Sequence, residues 1–354
     1  YRKMYITGGI GASGGNEGFA EPYFLPNMSA YCETCASIGD IFFNHRMFSM
    51  HGEARYFDIL EKTLYNGALS GVNLAGDRFF YPNPLESAGQ HERSAWFGCA
   101  CCPSNICRFI PAIPGYIYSV TDKELYVNLF ASNEADITLG RHDVRVTQET
   151  MYPWDGKVTI TINPDGDRRF TLKLRIPGWA HNEAMPGGLY KFTDSIPEDF
   201  SLLVNGDPPK TEMTNGYVSV TRTWEPGDRV ELYLPMPVRT VVADERVKED
   251  AGMYAIQKGP LVFCAEWPDN AGGRVSDLVL DENPVFSTEF VPDLLDGTDI
   301  ITTEGYLAVT GADGNITESE KTEIRLIPYH LWNNRGKGMM RVWIPCGNPN
   351  TLKD

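Results

Sequence analysis

Apolar positions along the chain follow one rhythm up to about residue 117 and another after it. "TCASIGDIFFNHRMFSM", from Thr34 to Met50, repeats its apolar residues at helical spacing, and "EARYFDILEKTLYNGALSGV" does so again from Glu53. The pattern predicts two adjacent, antiparallel helices. A third helix is expected to begin at Pro103, since proline suits the first turn, and to run through Ile106 and Phe109 until Pro111 and Pro114 disturb it. Between the second and third helices, "GDRFFYPNPLESAGQHERSAWFGCACC" is too polar and proline-rich for a long helix and reads as a site-forming loop.

Beyond residue 117, short alternating runs take over: "ELYVNLFASNEADITL", "KVTITINP", "FTLKLRIPGWA", "FSLLVNG", "GYVSVTRTW" and "DRVELYLPMPVRTVV", punctuated by Asn-Gly, Pro-Asp-Gly and Pro-Gly turns. That is the signature of an antiparallel β-sandwich. From about Trp267 the chain is rich in loops, until "KTEIRLIPYHLW" and "GMMRVWIPC" restore two strands. The expected architecture is α+β and multidomain, with a helical unit over 1–117, a β-sandwich over 118–266 and further strands completing the sandwich region over 267–354.

At 354 residues, with 42% hydrophobic and 22% charged content, the composition is that of a folded, soluble protein with more than one core. A formal net charge of −16 argues against nucleic acid and anionic membrane as partners, because affinity for polyphosphate comes from Lys and Arg. No run of eighteen apolar residues occurs. The chain opens on Tyr1 in a glycine-rich stretch like an interior loop, so a preceding segment is expected. The compartment, cytoplasmic or periplasmic, cannot be read from that end.

Six of the eight cysteines lie within the first 107 residues, and four fall in "WFGCACCPSNICRF", Trp96 to Phe109. Together with Cys32 and Cys35 in "YCETCASIG", the group Cys99, Cys101 and Cys102 offers more than enough soft ligands for a tetrahedral zinc. Two readings follow from spacing: a closed four-thiolate zinc that pins a loop, or a reactive centre. Cys102 immediately before Pro103 favours the second, because a helix N-terminus stabilises a thiolate. Cys264 and Cys346, in strand-like runs, read as buried apolar thiols.

Glu33 stands between Cys32 and Cys35, so a loop presenting Cys35 to a metal can present Glu33 as an oxygen ligand. Glu17 lies in "GGNEGF", where glycines allow close backbone approach, although a loop glutamate is ordinarily solvated. Glu61 falls within a predicted helix, where a surface role is the default, and Tyr81 in "RFFYPNPL" reads as core. His91, in "QHERS", is expected to face water. "GGIGASGG" lacks the flanking strand and helix of a nucleotide site.

Taken together, "YITGGIG", "NEGF", "YCETCASIG", "LYNGALSGV", "FFYPNPLES" and "CACCPSN" resemble the zinc-dependent β-L-arabinofuranosidases of glycoside hydrolase family 127, and "IPGWA", "GPLVF" and "IRLIPYHLWNNRG" are similar to that family's later sequences. The resemblance implies that Glu33, Cys35, Cys101 and Cys102 bind zinc, that Cys101 is also the nucleophile, that Glu17 is the general acid/base, and that Glu61 and Tyr81 contact the sugar. It implies the C-terminal part of an (α/α)6 barrel followed by β-sandwich modules. The barrel helices that would bring substrate-contacting histidines have no counterpart, so an N-terminal fragment or a second copy is an expected partner, beside an oligosaccharide or glycoconjugate substrate. Phe24 stands where the family commonly has Asp, which leaves the product open between β-L-arabinofuranose and a related rare pectic sugar.

Retaining hydrolysis on this plan uses the Cys101 thiolate where most glycosidases use a carboxylate, and calls for a partly buried pocket around Glu17. The competing reading is a non-catalytic carbohydrate-binding or scaffolding protein with a structural zinc and an aromatic platform of residues such as Trp154 or Trp179. Cys32, Cys99 and Cys107 are assigned to packing and support around the site.

Overall fold

The computed structural model describes residues 2–197, 199–310 and 316–347, so the outermost ends of the expected first and last units lie outside the described residues. Two helices, α1 (Thr34–His51) and α2 (Ala54–Lys62), run side by side and are separated by Gly52, whose left-handed backbone (φ 65°) ends α1 while its N–H bonds to the Phe48 carbonyl. The expected second helix is shorter than its periodicity suggests: after Lys62 it widens into a π turn, Thr63–Ala68, and closes in a 3-10 turn, Leu69–Gly71. The third helix, α3 (Cys101–Phe109), starts two residues earlier than expected, with Ala100 at the cap. Pro103 still falls in its first turn, where a missing N–H costs no intrahelical bond. The prolines at 111 and 114 lie in the 3-10 segment Ile110–Tyr116 that ends it.

Apart from Tyr190–Phe192, the strands between residues 118 and 234 form two five-stranded sheets. One runs Glu212–Thr214, Tyr217–Trp224, Arg168–Arg175, Glu124–Val127 and Tyr118–Val120; the other runs Asn133–Leu139, His142–Thr150, Lys157–Pro164, Asp228–Tyr233 and Ser201–Val204. Alternate residues of both, including Leu125, Val127, Leu172, Leu174, Val146, Ile160 and Val230, meet in one apolar cluster. This is the outcome that period-two patterning dictates.

The remaining strands make one larger sheet, whose path among the described residues runs from Leu278–Leu280 through Thr298–Thr310, Ile316–Pro328, Leu261–Glu266, Met253–Lys258 and Val238–Ala243 to Tyr190–Phe192. Phe263, Cys264 and Ala265 pair with Pro328, Ile327 and Leu326, so the expected division at 266/267 cuts through a hydrogen-bonded ladder. The strands after 267 join Met253–Glu266 and do not complete the two five-stranded sheets; alternating runs alone carry no information about which strand pairs with which.

The glycine-rich opening segment lies on this larger sheet. Tyr5, Ile6, Leu25, Ala30 and Cys32 share a core with Tyr190, Val262, Ile327, Trp332 and Trp343, whereas α1, α2 and α3 pack among themselves and against Leu129 and Tyr217. No helix among the described residues is long and apolar enough to cross a membrane.

Candidate active site

Two helix N-termini converge. With α1 starting at Thr34, Glu33 occupies the cap position and Cys35 the first turn, yet the Glu33 side chain makes no capping hydrogen bond. It is directed elsewhere: its Oε1 accepts from the Sγ atoms of Cys101 and Cys102, each at 3.4 Å, and those sulfurs are 3.8 Å apart at the start of α3. The ligand atoms of Glu33, Cys35, Cys101 and Cys102 all lie within 4.8 Å of one another, a group that can hold a metal ion. Both helix ends present free N–H groups and positive dipole ends, which favour anionic donors. Burial pushes the Cys35 thiol up to about 11 and the Cys102 thiol well above the ordinary range, so these groups keep their protons unless a cation compensates.

Tyr81 joins the same group. Its hydroxyl is 2.7 Å from Cys101 Sγ and 4.0 Å from Cys99 Sγ, and the contact with Cys101 is the main cause holding its proton tightly. Tyr31, which the sequence reading passed over, donates to Glu17 Oε1 at 3.0 Å, and its ring centroid is 6.4 Å from that of Tyr81. Through these two tyrosines the Glu17 loop adjoins the thiol cluster. Glu17 itself is exposed, so the described residues do not supply the partly buried pocket expected around it.

Glu61 is not brought to the cluster. It is 1% exposed and bound by protein on every side: Arg175 pairs with its Oε1, Tyr152 donates to the same oxygen at 2.6 Å, and Trp179 Nε1 donates to Oε2 at 3.4 Å. Arg175 also binds Asp58 at 2.7 Å. Neither the surface default nor the implied sugar contact describes this carboxylate, which ties α2 to the sheet carrying Arg175. His91 likewise departs from expectation: it stacks on Phe80 at 4.6 Å and bonds through Nε2 to the Pro82 carbonyl at 3.0 Å.

Cys32 is buried, as packing requires, but Cys99 and Cys107 are exposed, and Cys346 is only half-buried where Cys264 is fully buried. Trp179 is buried in the core between the five-stranded sheets and offers no open face for a sugar, while Trp154 is half-buried with its ring centroid 6.1 Å from that of Phe290.

The glycines of "LYNGALSGV" have a local reason. A Cβ on Gly71 would stand 2.4 Å from Thr34 Cγ2, and one on Gly67 3.1 Å from both Ser37 Oγ and the Thr7 carbonyl. The turn after α2 therefore lies directly against the start of α1, where Glu33 and Cys35 are.

Residues 1–115 match the model of the GH127 catalytic domain of beta-L-arabinofuranosidases, residues 124–236 the GH127 middle domain, and residues 238–345 the family's C-terminal domain. The chain belongs to glycoside hydrolase family 127. It is 35% identical to a non-reducing end beta-L-arabinofuranosidase of Bifidobacterium longum subsp. longum, with 97% of this chain and 53% of that protein covered. Among solved family members, a GH127 beta-arabinofuranosidase superposes with a TM-score of 0.94 at 46% identity, covering 98% of this chain and 54% of that one. A GH127 beta-L-arabinofuranosidase from Geobacillus stearothermophilus T6 gives 0.88 at 37%, covering 98% and 55%. The chain thus spans about half the length of the relatives it matches.

Proposed function

We propose that this chain is the C-terminal portion of a retaining glycoside hydrolase that releases β-L-arabinofuranose, or a related rare pectic sugar, from plant glycans or glycoconjugates. The observation that carries the reading is the convergence of Glu33, Cys35, Cys101 and Cys102 on two helix N-termini in a member of this family, with Tyr81 touching Cys101. The helical residues are read as part of an (α/α)6 barrel and the two five-stranded sheets as a β-sandwich, with unit boundaries near residues 117 and 236. The rest of the barrel and the remaining substrate contacts would come from an N-terminal fragment within the half of the relatives' length that this chain does not span, and a homo-oligomer is the alternative partner.

The donor set fits zinc. Zinc–sulfur bonds near 2.3 Å and zinc–oxygen bonds near 2.0 Å space tetrahedral donors about 3.8 Å (S to S) and about 3.5 Å (S to O) apart; among Glu33, Cys101 and Cys102 the separations are 3.8 Å and 3.4 Å, and Cys35 Sγ lies within 4.8 Å of the other three donors. Bound by these four residues, zinc would keep the thiols ionised at neutral pH. Three thiolates and a carboxylate outweigh its charge, which leaves Cys101 nucleophilic.

The Cys101 sulfur attacks the anomeric carbon as the glycosidic C–O bond breaks, and Glu17 gives its proton to the departing oxygen. In the second half, Glu17 takes a proton from water, the water oxygen attacks the anomeric carbon, and the C–S bond breaks to return the thiolate. Tyr81 donates to the sulfur and Tyr31 orients Glu17. The test is to treat the zinc-loaded, full-length protein with an activated aryl β-L-arabinofuranoside and locate the adduct by peptide mass spectrometry. One pentosyl residue on Cys101, absent in Cys101→Ser, is expected; an adduct on a carboxylate would sink the assignment.

A further inference from the structure

Asn83, in "FFYPNPLES", is 1% exposed and every polar group it carries is engaged. Its Nδ2 donates to the Cys32 carbonyl at 2.8 Å and to Thr34 Oγ1 at 3.0 Å, and its Oδ1 accepts from Ser70 Oγ at 2.8 Å. Its backbone N–H donates to the Tyr31 carbonyl at 3.0 Å, and its own carbonyl accepts from Tyr329 at 3.1 Å. The two loops it joins are zipped further by Thr34 N–H to the Tyr81 carbonyl at 3.1 Å and Thr34 Oγ1 to the Phe80 carbonyl at 2.8 Å.

Between Tyr31 and Thr34 the backbone is forced. Cys32 has φ 39°, a left-handed conformation in a residue that is not glycine, and it persists only where its surroundings hold it. Its N–H is held by the Gly11 carbonyl at 2.8 Å and its carbonyl by Asn83. That turn separates Tyr31, which reaches Glu17, from Glu33, which reaches the two sulfurs. We propose that Asn83 is the positioning residue of this site: its carboxamide locks the left-handed turn at Cys32 and so aims Glu33 at the thiols and Tyr31 at Glu17, while its own loop carries Tyr81 to Cys101.

The inference rests on the zinc reading for its first readout and stands apart from it in the second. Asn83→Asp keeps the shape and removes both donors. Asn66→Asp is the matched control, because Asn66 is equally buried and donates to the Lys62 and Pro260 carbonyls at 2.7 and 3.0 Å, with no hydrogen bond to the loops that carry Glu33, Cys35, Cys101 or Cys102. Zinc affinity, measured by chelator competition well below the melting temperature, is expected to fall about 10- to 100-fold in Asn83→Asp and to stay within about twofold in Asn66→Asp, although both lower the melting temperature. Equal affinities in the two variants would reduce Asn83 to a structural residue and overturn the proposal. If Asn83→Asp does not fold, Ser70→Ala frees the carboxamide more gently and is held to the same comparison. Should the parent protein bind no zinc, the functional reading fails, and the inference is decided by iodoacetamide: Cys101 is expected to alkylate several-fold faster once Glu33 is released, and an unchanged rate overturns it.

Discussion

Glu17 and Cys32 both take the left-handed backbone, at φ 51° and 39°, within sixteen residues of each other, and each makes the contact that matters from that position. Such conformations cost about 1–3 kcal/mol apiece and persist where a folded neighbourhood over-determines them. Neither is visible in a sequence, since glutamate and cysteine give no backbone signal of the kind glycine does. Short spacing marked the thiols Cys32, Cys35, Cys99, Cys101 and Cys102 as a soft-donor group, and the family resemblance narrowed it to Glu33, Cys35, Cys101 and Cys102, the four whose donor atoms gather in the fold. Tyr31 was not legible, because its partner lies fourteen residues away across a loop and no spacing rule links them. At this scale the acid/base assignment has a direct consequence: Glu17→Ala in the full-length enzyme is expected to slow hydrolysis of a natural disaccharide by about 10²- to 10⁴-fold and to leave sulfur glycosylation by an activated aryl arabinoside nearly unchanged. Equal losses with both leaving groups, read from pre-steady-state kinetics, would remove Glu17 from that role.

Helix starts decide the cluster. Because α1 begins at Thr34 and α3 at Cys101, Glu33, Cys35, Cys101 and Cys102 occupy cap and first-turn positions, the part of a helix that favours anions. The first two helices were legible from period 3.6 and the third from proline's place in a first turn; the two-residue shift of α3 and the π turn after Lys62 were not, because packing sets where a helix begins and ends. The same element-level packing holds α2 to the neighbouring sheet through Arg175, fully buried against Glu61 and Asp58. Arg175→Met leaves two carboxylates without their cation and is expected to cost about 3–5 kcal/mol, measured as a shift in urea midpoint. Arg175→Met combined with Glu61→Leu should recover part of that loss. A single-variant cost under about 1 kcal/mol would mean the pair contributes no more than a surface bridge.

Across the whole molecule the opening segment is fastened to the larger sheet, and one fastening titrates. Asn27 Nδ2 donates to Asp250 Oδ1 at 2.7 Å, and burial raises the Asp250 carboxyl to about 7. A folded-state value above the unfolded one means that the native state binds the extra proton between about pH 4 and pH 7, so this group's contribution to stability falls as pH rises through that window. Asp40 and Asp58, both raised to about 6 by burial, act in the same direction, so the test is a difference. The melting temperature of Asp250→Asn minus that of the parent protein should grow from pH 4.5 to pH 8; a gap that stays constant with pH would show that Asp250 is not the titrating group.

The sequence by itself determined the helical and strand character of each region and the residue types gathered at the metal-capable cluster, because periodicity and ligand spacing are local properties of a chain. Only the tertiary structure decided that Glu61 is locked to Arg175, that the strands on both sides of residue 266 share one sheet, and that Asn83 joins the two loops of the site. Each of those depends on which distant groups meet, and burial and hydrogen bonding between distant groups are settled by packing and leave no pattern along the chain.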